Sequence, residues 1–192
     1  MTITPYNRGF TLVEILVSVA IFATVMVIAL GALLAMAESD RKSQTLKSVI
    51  NNLNFSLDSM SRSIRVGDTY HCDASVAPLT SPRDCQDAPG ADSIAYRAPS
   101  GATAIFCRGS STTCDSTGTS ILRSIDGGLN YAPITAPEVK ISNFSFFVVG
   151  AESATVQSKV TILISGAVQV TGTQQSQFNL QTSVTQRLYD EL

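Results

Sequence analysis

The feature that most restricts this chain is a run of 23 residues, positions 15–37, that contains no charge at all. Ser18 and Thr24 are its only hydroxyls, and Gly31 is its one weak helix former. Coiled as a helix at about 1.5 Å per residue, the run reaches about 35 Å, enough to cross the hydrocarbon core of a bilayer. Both hydroxyls can bond back to a carbonyl of their own helix, so neither opposes lipid. Ahead of the run, residues 1–9 form a short polar leader whose single side-chain charge is Arg8. Positive charge on a short flank favours retention in the cytoplasm, which sends the remainder of the chain across the membrane.

Composition agrees with an anchored chain. Charged residues make up 15% of the 192, well under the roughly 25% of an average soluble domain. Thirteen basic against fifteen acidic side chains leave a formal charge of −2, so no broad basic surface for nucleic acid is expected. The only histidine is His71. It adjoins Cys72, but neighbours in a strand point to opposite faces. No serine has a histidine in the context a nucleophile needs. An enzyme is therefore not expected, nor a cofactor or a metal.

Three readings of residues 10–37 compete. A secretory signal would be cut after Ala37, where Ala35-Met36-Ala37 offers small residues, but its apolar core would span only 7–15 residues. A plain single-pass anchor accounts for the apolarity. Neither accounts for Glu14, an acid placed immediately before a span that otherwise excludes charge. The hexapeptide Gly9-Phe10-Thr11-Leu12-Val13-Glu14, followed at once by a long apolar helix, resembles the processing signal of type IV pilins and of type II secretion and competence pseudopilins. That resemblance implies cleavage between Gly9 and Phe10 by a prepilin peptidase and methylation of the new amine on Phe10. It also implies assembly through Phe10 and Glu14, with other pilin or pseudopilin subunits and the inner membrane as partners.

The chemistry of Glu14 fits the implication. A charge at mid-bilayer costs about 2.5–3.5 kcal/mol on insertion scales. A free amine on Phe10 of a neighbouring subunit would turn two separate penalties into an attractive pair and fix the axial register of the helices.

Beyond the span, Leu46, Val49, Leu53, Leu57, Met60 and Ile64 recur at steps of three and four, the apolar stripe of an amphipathic helix. Lys47, Asn51, Asn54, Asp58 and Ser61 make the opposite face. No proline interrupts residues 10–66, and Gly67-Asp68 reads as the stop. The expected organisation is a leader at 1–9, a membrane or filament-core helix at 10–37, and an amphipathic helix at 38–66. A loop-rich region at 67–137 and an antiparallel sheet at 138–192 follow.

The region 67–137 holds six of the seven prolines and carries turn signals throughout. Short strands are expected at 93–97, 102–107 and 120–124. Asp126-Gly127-Gly128 reads as a turn, since no spaced acidic loop for calcium accompanies it. After residue 138 three alternating apolar segments predict a meander whose apolar face lies on the helix stripe, with a phase shift near Asn143 that predicts a bulge. The fold class is thus α+β: a long N-terminal helix packed on an antiparallel sheet, with a loop-rich middle. In the family this layout and length resemble a minor subunit, most like the J-type pseudopilin. Glu14 argues against the K-type tip subunit, which lacks the acid.

Four cysteines, Cys72, Cys85, Cys107 and Cys114, all lie in the part placed outside the cytoplasm, where an even count reads as disulfides. Three connectivities are possible; Cys72–Cys85 with Cys107–Cys114 is preferred because each closes a short loop. Zinc is the rival, but no Cys-x-x-Cys pair exists. The expected function is a structural subunit of a type IV pilus or a secretion pseudopilus, single-pass with its head in the periplasm or outside. A pilin-anchored adhesin or binding head is the alternative, as is a competence pseudopilin.

Overall fold

A computed structural model describes residues 9–73, 79–87, 89–153, 155–171 and 174–187. The leader ahead of Gly9 and part of the proline run at 76–82 lie outside the described residues. The chain divides into two compact units, Met1–Gln44 and Thr45–Leu192. One helix, α1 (Leu12–Arg65, 54 residues), contributes to both.

In the first unit α1 is exposed on every side, and over residues 15–37 that surface is apolar all round, the pattern of a helix covered by lipid or by other protein. In the second unit the helix is amphipathic. Val49, Leu53, Ser56, Met60 and Ile64 are buried, Leu57 packs beside them, and Asn51, Asn54 and Asp58 face solvent. The helix ends at Arg65, just ahead of Gly67, whose N–H donates to the Ile64 carbonyl at 3.0 Å. The hydroxyl of the fully buried Tyr70 shares its proton between the carbonyls of Ile64 (2.7 Å) and Gly67 (2.8 Å). That satisfies acceptors which a helix terminus leaves without partners. A side chain at Gly67 would collide with the Tyr96 ring, so only glycine fits this close approach.

Within the region expected to be loop-rich, the short strands join into one sheet. β1 (Asp68–His71), β2 (Ser93–Arg97), β3 (Thr103–Ser110), β4 (Thr113–Cys114), β5 (Ser120–Ser124) and β6 (Ala132–Pro133) pair antiparallel in the order β1-β2-β3-β5-β6, with β4 also on β3. A second sheet, β7 (Val139–Val149), β8 (Lys159–Thr171) and β9 (Gln174–Thr185), is an antiparallel meander in the order β7-β8-β9. Its register slips between Ile141 and Asn143. That bulge lets Val139 and Ile141 and then Phe144, Phe146 and Val148 all point inward.

Helix and both sheets share one core. Val49, Leu53, Met60 and Ile64 of α1 pack with Tyr70, Tyr96 and Phe106 of the first sheet and with Phe144, Phe146, Ile162 and Val184 of the second. The first sheet is covered on its other face too, where Leu79, Ala95 and Ile105 form a smaller cluster against Tyr131. Polar side chains tie the helix down. Buried Ser56 reaches the carbonyls of Asn52 (2.9 Å) and Ile134 (2.7 Å), Asn52 Oδ1 accepts from the Ala136 N–H at 3.0 Å, and Ser63 meets the Tyr96 hydroxyl at 2.6 Å. Burial pushes the Tyr96 phenol above its ordinary value, against the opposing pull of the Ser63 bond and the Arg123 charge.

Candidate processing and assembly segment

The residues singled out for processing and assembly stand together at the head of α1. Thr11 is the N-cap: its Oγ1 accepts from the Glu14 N–H at 3.3 Å, and its carbonyl lies 3.1 and 3.2 Å from the N–H groups of Glu14 and Ile15. Thr-x-x-Glu is the sequence of a capping box, in which the third residue after the cap is acidic. The cap stops the helix at Leu12, so Gly9 and Phe10 remain outside it. Both are exposed, Phe10 by 77%, and no described residue beyond its chain neighbours comes within 4 Å of where a Gly9 Cβ would sit.

Past the cap, Ser18 Oγ donates to the Ile15 carbonyl at 3.0 Å and Thr24 Oγ1 to the Ile21 carbonyl at 2.8 Å. Each hydroxyl is thus spent within its own helix, leaving an apolar exterior. An 18-residue window of α1 reaches a mean hydropathy of 2.7 with none of it buried. By length and composition this helix can cross a bilayer. Glu14 carries the single side-chain charge among the residues from Gly9 to Ala37, in the first turn of the helix, where the macrodipole favours an acid.

The cysteines belong to the second unit and form two disulfides, Cys72–Cys85 and Cys107–Cys114. The first bridge ties the end of β1 to a segment that pairs with Val148 of β7, and the second clips the β3–β4 hairpin. His71 is buried, and its Nδ1 accepts the Asp73 N–H at 3.1 Å, a local turn contact with no thiol partner. In the Asp126 turn the carboxylate serves the loop itself, accepting from the Ser124 hydroxyl at 2.7 Å and from the Asn130 N–H and side-chain amide at 3.0 and 2.7 Å. Among the described residues no three His, Cys, Asp or Glu side chains gather as a metal site would require.

Sequence reading passed over Ser56 and Asn52. Their only signal is phase, because both fall beside the apolar stripe rather than opposite it. It also passed over Arg108, whose guanidinium on β3 bonds the carbonyls of Ser142 on β7 and of Ser116, joining the two sheets.

The chain thus combines a capped, lipid-compatible helix, preceded by an exposed Gly-Phe pair, with a disulfide-bonded α+β unit. The family model of the prokaryotic N-terminal methylation motif matches residues 4–37, and on that match and this fold the chain is similar to type IV pilins and pseudopilins. The match leaves the second unit uncovered. No curated protein and no solved structure matches the chain.

Proposed function

We propose that this protein is a minor pilin or pseudopilin, a structural subunit of a type IV pilus or of a type II secretion pseudopilus. Prepilin peptidase cuts after Gly9, Phe10 becomes the methylated first residue, and the subunit waits in the inner membrane as a single-pass protein with its head on the far side. Assembly then exchanges lipid for neighbouring helices around the apolar surface of α1. In that water-poor layer Glu14 meets the terminal amine of an adjacent subunit, and the pair sets the register. Head contacts add to a shaft held mainly by helices. The size of the head, with two sheets, supports a minor subunit, and its layout most resembles the J-type pseudopilin.

The observation that carries this reading is the exposed Gly9-Phe10 pair directly ahead of a capped helix that is apolar on all sides. Mass spectrometry of the protein recovered from membranes tests it. The expected N-terminal residue is N-methyl-Phe10. A chain that keeps its leader, or one that begins at Glu38, overturns it.

A further inference from the structure

The outer face of the second sheet is hollow along its middle strand. On β8, Leu163, Ser165 and Ala167 turn away from the core, alternating with buried Ile162, Ile164, Gly166 and Val168. Two of those three outward residues are small. In register they stand between longer side chains: Ala167 between Lys140 of β7 and Gln177 of β9, and Ser165 between Asn143 and Asn179. Small residues on the centre strand and long ones on its flanks leave a trough over β8. At the ordinary strand spacing its walls stand about 10 Å apart. Two adjoining clefts of about 560 and 360 Å³ lie along it and share Ser165 and Asn179.

The two walls differ in chemistry. On the β9 side Gln175, Gln177, Asn179 and Gln181 are exposed and line the clefts, each a carboxamide that both donates and accepts. On the β7 side stand Lys140 and Arg108. Arg108 is anchored by the carbonyls of Ser142 and Ser116, neither of which neutralises it. Lys140 makes no ion pair among the described residues. No carboxylate lines either cleft. Of the acids nearest these two in the chain, Glu138 is exposed ahead of β7, and Asp115 is turned into its own loop by Ser110 and Thr117. Asp58 belongs to a separate cleft between β9 and α1, beyond the carboxamide wall.

Positive charge without a counter-charge favours an anion, and a row of carboxamides and hydroxyls suits a ligand rich in hydroxyl groups. A peptide fits less well, because β8 is paired on both sides and its backbone groups are spent in the ladders. The geometry points to this trough as a binding site for an acidic saccharide. Its carboxylate faces Lys140, with Arg108 adding to the field; its hydroxyls meet the carboxamides of β9; and the apolar face of a sugar ring lies over Ala167 and Leu163. The site lies wholly within the second unit and stands or falls apart from the filament reading.

The test uses the full chain in lipid nanodiscs and biolayer interferometry. The probes are oligogalacturonate, oligomannuronate and sialyllactose, each paired with the same sugar reduced at its carboxylate to the neutral alcohol, and hexa-aspartate. At least one carboxylated sugar should bind, and its neutral counterpart should bind at least tenfold more weakly. Lys140→Gln should weaken binding about tenfold, and so should the double variant Gln177→Ala/Asn179→Ala. Lys159→Gln, at an exposed lysine outside both clefts, should leave it unchanged. All four positions are exposed, and unchanged circular dichroism spectra verify that the variants are folded. The proposal is overturned if none of the three sugars binds, if the neutral counterparts bind as tightly, or if hexa-aspartate binds as tightly as the best sugar. It is overturned as well if either trough variant keeps full affinity, or if Lys159→Gln loses as much as Lys140→Gln.

Discussion

At Asp126 and Asp115, single carboxylates organise whole turns. Asp126 takes its donors from Ser124 and Asn130, and Asp115 takes the hydroxyls of Ser110 and Thr117 at 2.6 and 2.8 Å together with their N–H groups. Donors favour the ionised form, so hydrogen bonds, led by Ser124 for Asp126 and by Ser110 for Asp115, lower each pKa to about 2. A carboxylate held below its unfolded value stabilises fully above pH 4 and loses that contribution as pH falls towards 2. Carbon-detected NMR titration should therefore find both side chains still ionised at pH 3. Denaturation midpoints should drop between pH 4.5 and 2, less so in Asp126→Asn, and modestly in both, since these groups are exposed to screening. For Glu14 the expected outcome concerns assembly. Glu14→Ala should insert and be processed normally, while its share of sheared filaments, read by immunoblot, falls about tenfold, the effect of losing ~1.4 kcal/mol. Glu14 could be read from sequence because it is the one acid beside an uncharged run, whereas the cap at Thr11 was passed over. Ser56 could not be read, because its partner at Ile134 is 78 positions away.

Among the elements, the stripe of α1 and the β7 bulge were legible for one reason: each packs one face against a core, so burial leaves a period in the sequence. Of the first sheet, β2, β3 and β5 were legible as short strands at 93–97, 102–107 and 120–124, but their cover on both faces was not: in β2, Ile94 and Tyr96 enter the main core while Ala95 enters the smaller one, so the alternation that marks a half-covered strand vanishes. β1 is four residues long, with Asp68, Thr69 and His71 polar, and its one strand partner among the described residues is β2. The same packing sets the cost of damage. Met60→Ala, at a position with no exposure, should destabilise the head by about 2–5 kcal/mol in urea titrations. The disulfides enclose separations of 13 and 7 residues. On the chain-entropy model, replacing Cys72 and Cys85 by serine should cost about 3 kcal/mol and replacing Cys107 and Cys114 about 2.5 kcal/mol. Guanidinium titrations of the two double variants check the order.

For the molecule as a whole, orientation is the property to measure. On the proposed topology, a phosphatase that folds only after export should be active when fused after residue 66 and inactive when fused after residue 9. Activity after residue 9 would reverse the orientation. The end of α1 bears on what such a subunit does once it is moved. Its carbonyls are gripped by Tyr70 and by the Gly67 N–H, and the N–H of Arg187, near the far end of the described chain, reaches back to the Arg65 carbonyl at 2.9 Å. Early and late parts of the head are thus knotted at one spot, above side chains that interdigitate with strands of both sheets. A pull applied at the end of α1 would therefore reach strands of both sheets of the second unit together.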